Sequence, residues 1–241
     1  MDPPPISHRT TQEFRTEVSG YYNYFHFGLS AYADRVLLKV RKRVYRTFLA
    51  AFAPAANETI LDVGVSYDSH ISANYLEKNY PHPKSIIALG LKPYSGVTQL
   101  CGDGRALPFA NDSIDYVYSH AVIEHTGNRI NQTRFAAEAY RVCRKGILLT
   151  TPNRLHPVET HTGLPLLHYL PASIYRPIYS RLGKSMYAKE ETLNLLSRTE
   201  MVNVLATAKI PASQIEYQNI RWLGITSNLV AIIRKPNRQS Y

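Results

Sequence analysis

The feature that most constrains this chain is the alternation of short apolar runs and helix-like segments between residues 57 and 153. Four runs have the composition of buried strands: ETILDV, KSIIALGL, DSIDYVYSH and KGILLTTPN. Two segments with helical spacing of apolar residues lie among them: HISANYLEKNY and NQTRFAAEAYRVC. Short apolar runs bounded by turn residues are typical of strands that are buried on both faces. The alternation therefore predicts an α/β fold with a parallel sheet covered by helices.

We interpret residues 1–241 as a single domain in which this core, residues 57–153, carries three additions. Residues 1–53 contain a helical region that we predict to form an N-terminal lid. Residues 154–200 are rich in Pro, His and Tyr, and we predict a helical insertion over the edge of the sheet. In residues 201–241, two strand-like segments separated by turn residues follow a helix and predict an antiparallel strand pair.

The composition indicates the cellular compartment of the protein more than it indicates its function. The net charge of +10 suits nucleic acid, anionic lipid or acidic small molecules equally well. The densest basic stretch, Lys39 to Arg46, alternates with apolar residues at helical spacing, which favours a solvated helix face over a ligand-binding role. Two cysteines, no apolar run of membrane-spanning length and no signal-peptide pattern predict a cytoplasmic protein.

The most specific stretch of the sequence is CGDGRALPFANDSIDYVYSHAVIEH. It combines D-x-x-x-L-P-F, a spacer, D-x-V-x-S in a strand and an E-H pair at the start of the next helix. Together with the other strand ends, it resembles the class I S-adenosylmethionine-dependent methyltransferases over about residues 57–153. This resemblance implies a Rossmann-like fold whose seven-stranded sheet is mostly parallel and ends in an antiparallel pair. It also implies S-adenosylmethionine as the cofactor.

The resemblance assigns the methionine portion of the cofactor to the turn after the first strand. Asp62 and Gly64 would contact it, with Val63 and Ser66 in the same turn. Of the family's glycine-rich pattern D-x-G-x-G-x-G, only the first glycine is present. Glycine lets the backbone approach a ligand closely, while Ser66 narrows the turn and offers a hydroxyl. A plain strand-to-helix turn is the alternative.

At the end of the second strand the sequence departs from the family. Gly90, Leu91 and Lys92 stand where an acidic residue usually accepts hydrogen bonds from the ribose hydroxyls. Leu91 would still lie beside the cofactor. The ribose must therefore be held by backbone or by a residue of the lid.

The adenine is assigned by the same resemblance to the stretch after the third strand. Asp103 would accept a hydrogen bond from the adenine amino group. Gly102, Gly104 and Arg105 would supply backbone beside the ring. The alternative is that Asp103 caps a helix or a turn.

Residues after the fourth and fifth strands are candidates for chemistry. Ser119 and His120 would lie beneath the sulfonium and the carboxylate, and His120 is either a general base or a loop histidine bonded to backbone. Asn153 either hydrogen-bonds a substrate amine or carbonyl, or ends the turn after Pro152. We expect Glu124 and His125 to orient the following loop.

An aromatic segment near the amino terminus, SGYYNYFHFGLSAY, precedes the first strand. The cofactor carries a positive sulfonium, and a Tyr or Phe ring stabilises such a cation by about 0.5–2 kcal/mol. Tyr21, Tyr22 and Phe25 are therefore candidates for a lid over the cofactor, with Tyr21 near the reacting groups. Packing of the helix on the domain is a compatible interpretation.

A metal site is not predicted. Residues His156, His161 and His168, together with Glu159, match no zinc-ligand spacing.

The reaction expected from the resemblance is methyl transfer to a small molecule in secondary metabolism, with release of S-adenosylhomocysteine. No acceptor signature is present, so two alternatives from the same fold stay open. One is cyclisation of S-adenosylmethionine to azetidine-2-carboxylate with release of methylthioadenosine, in which Asn153 and Ser119 would hold the amine. The other is a non-catalytic nucleic-acid-binding protein, which the intact cofactor motifs make less favoured. A hydrolase is disfavoured because GVSYD lacks the last glycine of a nucleophile elbow. The sequence leaves open a monomer or a homodimer.

Overall fold

The computed structural model describes residues 30–65, 73–92 and 99–236 of the chain. The described strands are β1 (Ile60–Val63), β2 (Ile86–Gly90), β3 (Leu100–Cys101), β4 (Ile114–His120), β5 (Cys143–Pro152), β6 (Ile215–Trp222) and β7 (Ile225–Arg234). The described α-helices are α1 (Ser30–Phe52), α2 (Tyr75–Asn79), α3 (Arg129–Val142), α4 (Ala172–Arg181) and α5 (Arg198–Thr207).

One seven-stranded sheet organises these elements in the order β3-β2-β1-β4-β5-β7-β6. Strands β1 to β5 pair in parallel, and β7 runs antiparallel to both β5 and β6. Because the carboxyl ends of parallel strands meet at one edge of a sheet, the turns after β1, β2, β3 and β4 lie near one another. The predicted mostly parallel sheet with an antiparallel carboxy-terminal pair is confirmed.

The two faces of the sheet bury separate apolar clusters, as the alternation of side chains along β4 requires. Val117 belongs to the cluster that packs against α3 and α5. Tyr116 and Tyr118 belong to the cluster on the opposite face, where Phe48 of α1 packs edge-on against both rings. The basic helix is therefore amphipathic as predicted, with Val44 and Phe48 fully buried.

Two helical segments of the core begin or end differently from the sequence prediction. The helix before Tyr80 is described only over α2, which is shorter than the predicted segment HISANYLEKNY. After β4 the chain forms a 3₁₀ turn at Ile123–His125, and α3 begins at Arg129, two residues before the predicted segment NQTRFAAEAYRVC. The side chain of Asn128 accepts a hydrogen bond from the Asn131 N–H at 3.0 Å. An N-cap asparagine of this kind satisfies one backbone N–H that has no partner in the helix.

The insertion between β5 and α5 is less helical than predicted. It contains α4 and 3₁₀ turns at Leu167–Tyr169 and Ser185–Ala188, and the rest is irregular. Its own apolar cluster is built around Tyr179, Tyr187 and other residues of the insertion. This apolar cluster is small, and buried polar contacts to the core also hold the insertion in place.

None of the described helices is both long and apolar enough to cross a membrane.

Candidate functional site

A cavity of about 1100 Å³ opens at the carboxyl ends of the parallel strands. Its wall includes the turns after β1 to β4, the start of α1, part of the insertion and the β6–β7 hairpin. Small-molecule sites are commonly about 300–1000 Å³. The cavity therefore has room for a cofactor and a second small ligand.

The turn after β1 has the predicted place in this wall. Asp62, Val63 and Gly64 all line the cavity, and Asp62 is 7% exposed. Burial and the neighbouring carboxyl of Glu77 raise the pKa of Asp62 well above its usual range. A bound cation would offset both effects.

Gly64 shows why a glycine stands in this turn. Its φ of 99° lies in the region that favours glycine, and a Cβ built there would come within 2.3 Å of Cγ2 of Val122. A side chain would both strain the backbone and press on the wall of the cavity.

The turn after β3 also lies where the sequence predicts it. Gly102, Asp103, Gly104 and Arg105 line the cavity, as does Leu91, which is 74% exposed. Asp103 accepts hydrogen bonds from Nε and Nη2 of Arg105 at 2.9 and 2.6 Å, and this pairing lowers the pKa of Asp103. A ligand amino group at Asp103 would therefore share the carboxylate with Arg105.

The two candidate residues at the end of β4, Ser119 and His120, have different environments. His120 lines the cavity, and its Nδ1 lies 2.7 Å from Oγ1 of Thr150. Burial and the charge of Arg41 lower the pKa of His120 to about 3, so the ring is neutral and weakly basic near pH 7. Ser119 is fully buried and is not among the residues of the wall, because it faces the side of β4 opposite Tyr118 and His120.

Asn153 does not face the cavity, as a residue that contacts the substrate would have to. Its Nδ2 donates to the carbonyl of Thr226 at 3.0 Å, and its Oδ1 accepts from the Leu155 N–H at 3.1 Å. These contacts favour the turn interpretation of Asn153.

Four predicted residues, Tyr21, Tyr22, Phe25 and Ser66, lie outside the described residues. The part of the amino-terminal region that is described does reach the cavity. Val36, Leu37, Val40 and Arg41 of α1 line it. The amphipathic spacing of α1 identifies Val36, Leu37 and Val40 as apolar positions of one helix face. It does not indicate that they face a cavity instead of the core.

A cluster of two buried carboxyls and two partly buried imidazoles lies where the insertion meets the turn after β4. Oε1 of Glu124 lies 3.9 Å from Nε2 of His125 and 3.9 Å from Nε2 of His161. Oε1 of Glu159 lies 2.7 Å from Nδ1 of His161. His125, Glu159 and His161 also line the cavity. We name this group the Glu–His cluster.

Burial and mutual contact shift the pKa values of the Glu–His cluster in opposite directions. Burial raises the pKa of Glu124 to about 7. Burial and the nearby His161 lower the pKa of His125 to about 3. Against the effect of burial, His161 lowers the pKa of Glu159 to about 2, and Glu159 raises the pKa of His161. Glu159 and His161 thus form an ion pair beside a neutral His125.

The sequence indicates parts of this cluster without joining them. It predicts that Glu124 and His125 orient a loop, and it offers His161 and Glu159 as possible ligands only beside His156 and His168, at a spacing that matches no zinc site. The structure places His156 and His168 outside the Glu–His cluster. Nε2 of His168 hydrogen-bonds to the carbonyl of His156, and the ring of His156 lies 5.8 Å from that of Trp222. The two halves of the cluster are more than 30 residues apart, so no local spacing could have indicated their contact.

Comparison with known proteins identifies the class of this fold. A family model described as a methyltransferase domain matches residues 61–150. No curated protein matches the chain.

Solved structures align with nearly the whole described fold at low sequence identity. An S-adenosylmethionine-dependent methyltransferase from Thermotoga maritima has a TM-score of 0.54 and 13% identity, over 93% of this chain and 98% of that chain. One from Archaeoglobus fulgidus has a TM-score of 0.52 and 12% identity, over 81% and 93%. A chain from the complex of the Haloferax volcanii Trm112 methyltransferase activator with a methyltransferase has a TM-score of 0.52 and 14% identity, over 88% and 98%.

The sheet order, the site and the family match agree on the class. Residues 61–150 match a methyltransferase domain, the described fold is that of class I S-adenosylmethionine-dependent methyltransferases, and S-adenosylmethionine is the cofactor. The described residues fit this cofactor on their own evidence. The wall offers a buried carboxyl suited to a cation at Asp62, and a close backbone approach at Gly64.

Proposed function

We propose that this protein transfers the methyl group of S-adenosylmethionine to a small-molecule acceptor, as part of a biosynthetic reaction. The observation that carries the proposal is the shared cavity. Residues of the insertion, including Val158, His161 and Tyr187, line the same space as Asp62 and Gly64. An acceptor bound among the insertion residues would lie next to a cofactor bound at the strand ends.

The bound cofactor supplies an electrophilic methyl carbon on a positively charged sulfur. The chain's own contribution is to place an acceptor nucleophile in line with that carbon, which is a large source of rate in such transfers. Asp62 would hold the cationic end of the cofactor. Apolar residues of α1, Val36 and Leu37, would exclude water from the shared cavity.

Proton removal from the acceptor has two nearby candidates in the wall. Nδ1 of His120 is bonded to Thr150, and its depressed pKa makes it a weak base near pH 7. The Glu–His cluster includes the carboxylate of Glu159, whose negative charge is held by His161. Both groups are weak bases near pH 7, because their pKa values are lowered to about 3 and about 2, so the chain contributes more by positioning the acceptor than by removing its proton.

The test is incubation of the purified full chain with S-adenosylmethionine labelled in the methyl group, followed by mass spectrometry. The first sample contains the cofactor alone, and the second adds a small-molecule extract. A no-enzyme control is needed because the cofactor decomposes by itself to methylthioadenosine. Labelled product together with S-adenosylhomocysteine in the second sample supports methyl transfer.

The same incubation tests the two alternatives. Azetidine-2-carboxylate and methylthioadenosine above the control in the first sample would replace methyl transfer by cyclisation. The positions of Asn153 and Ser119, neither of which lines the cavity, offer no support for holding the amine as cyclisation would require. Tight, strongly salt-dependent binding of nucleic acid with no cofactor turnover would favour a binding protein instead.

A further inference from the structure

Three donor atoms of the Glu–His cluster lie close together. They are Oε1 of Glu124, Nε2 of His125 and Nε2 of His161, and all lie within 4.8 Å of one another. Two of the distances, from Oε1 to each Nε2, are 3.9 Å. Bonds of about 2.0–2.2 Å to one ion would bring such donors to roughly 3.0–3.6 Å apart. The two 3.9 Å separations would then close by about 0.3–0.9 Å, and the separation of the two Nε2 atoms, at most 4.8 Å, by up to about 1.8 Å.

Each donor residue is also oriented by a second contact on its far side. Nδ1 of His125 lies 2.6 Å from the carbonyl of Thr192, and Nδ1 of His161 lies 2.7 Å from the Glu159 carboxylate. A carbonyl or carboxylate oxygen can only accept, so both rings carry their proton on Nδ1 when neutral. His125 is neutral, so its Nε2 presents a lone pair towards Glu124, whereas His161, while it is paired with Glu159, carries a second proton on Nε2 that a bound metal ion would displace to solvent. Metal-binding histidines are held by this same type of contact.

Glu124 supplies the independent observation that points to a ligand. Its side chain is fully buried, and Oε2 accepts a hydrogen bond from Oγ1 of Thr151 at 2.9 Å. Oε1 is buried without a hydrogen-bond partner among the described residues. Leaving a buried carboxylate oxygen unsatisfied is costly, and a cation in front of it would offset that cost.

We propose that Glu124, His125 and His161 bind a divalent first-row transition-metal ion. Two imidazoles and one carboxylate are a ligand set that suits Zn²⁺, Fe²⁺ or Co²⁺ better than Mg²⁺ or Ca²⁺, which prefer oxygen ligands. Three protein ligands leave at least one coordination position open. Because His125 and His161 line the cavity, that position faces the space in which a second ligand would bind.

The rival interpretation is a hydrogen-bonded cluster that only anchors the insertion to the core. It accounts for the contacts of Glu159, Thr151 and Thr192. It does not account for Oε1 of Glu124, or for two Nε2 atoms that converge on it. The two interpretations differ in a direct measurement, because only the metal site binds an ion.

The experiment uses the full chain without a polyhistidine tag, stripped of metal by a chelator and then dialysed. Zn²⁺ is titrated by calorimetry, and Co²⁺ by its visible absorption, in the absence of S-adenosylmethionine and acceptor. We expect one ion per chain. The variant E124Q keeps the shape of the side chain and should raise the dissociation constant at least about tenfold, and H161Q about a hundredfold.

The control variant is H82Q, which removes an exposed histidine far from the cavity wall and should bind the ion as the unchanged chain does. Circular dichroism of each metal-free variant shows whether it is folded. Absence of stoichiometric binding in the unchanged chain overturns the proposal. So does equal affinity in folded E124Q and the unchanged chain. Neither measurement involves turnover, so failure of the metal site and failure of the proposed methyl transfer are distinguished.

Discussion

The two sides of the cavity are built by different means. On the side where the sequence predicts the cofactor, Asp62 lies near the end of β1, Gly64 and Asp103 lie in the turns after β1 and β3, and the sheet itself brings these positions together. On the opposite side, Glu124 and His161 come from segments far apart in sequence and meet only because the insertion folds back onto the core. The first side is held by backbone pairing, the second by buried polar contacts. The comparison predicts that the second side is more sensitive to loss of a single side chain.

The largest effect is expected from Glu159→Ala, which tests the polar support of the insertion. Glu159 is 2% exposed and accepts hydrogen bonds from Nδ1 and N–H of His161 and from the Thr162 N–H. Its removal leaves a buried imidazole and two N–H groups without their partner. We expect the free energy of unfolding to fall by about 3–5 kcal/mol.

Urea denaturation measures this change, and Glu191→Ala is the matched control. Glu191 also lies in the insertion but is exposed, so its loss should change the free energy of unfolding by less than about 0.5 kcal/mol. If the two variants were equally stable, the claim that buried polar contacts hold the insertion would be wrong.

Gly64→Ala tests the backbone-built side. The new Cβ would meet Cγ2 of Val122 at 2.3 Å in addition to straining a φ of 99°. We expect a loss of about 2–4 kcal/mol in the free energy of unfolding, together with weaker binding of S-adenosylmethionine by calorimetry. Gly224→Ala separates the two causes, because Gly224 has a φ of 81° but nothing within 4 Å of a Cβ. It should cost only about 1–2 kcal/mol.

Asp62→Asn should have opposite effects on binding and stability. Loss of the carboxylate should weaken binding of the cationic cofactor by about 10- to 100-fold, the usual range for a hydrogen bond to a charged group. Stability at pH 7 should rise, because the raised pKa of Asp62 means that its ionised form is disfavoured in the folded chain. A variant that binds the cofactor as tightly as the unchanged chain would remove Asp62 from the site.

The raised pKa of Asp62 also predicts how the free energy of unfolding changes with pH. With a folded pKa above its ordinary value of 3.8, the folded chain holds this proton more tightly than the unfolded chain. Stability from this group is therefore fully present below pH 3.8 and is lost as pH rises towards the folded pKa. Unfolding measured across that window should show a shallower decline in Asp62→Asn than in the unchanged chain.

The smallest effect is expected from Asn153→Ala. Its two contacts to backbone, with Thr226 and Leu155, predict a loss of about 1–2 kcal/mol in the free energy of unfolding. Turnover at saturating cofactor should stay within about twofold, which steady-state assays can measure. A large drop in turnover in a folded variant would show that Asn153 takes part in the reaction.

Sequence reasoning was most successful where function depends on one short stretch. The apolar runs that end at Val63 and His120 predicted their strands, and the family motifs around β1 and after β3 predicted Asp62, Gly64 and Asp103, which do line the cavity. It was least successful where a residue's role depends on side-chain direction. Ser119 and His120 are neighbours in sequence, and only their opposite faces on β4 separate a wall residue from a core residue.

By itself, the sequence determined the sheet and its carboxyl-end turns, because strand periodicity and turn chemistry are local properties of the chain, and its resemblance to a known family indicated the cofactor. Only the tertiary structure decided that Glu124, His125 and His161 converge, and that Asn153 is held by Thr226. The physical reason is that burial and long-range contact set the hydrogen-bond partners and pKa values of these groups. A spacing in sequence does not specify which distant segment will cover a side chain.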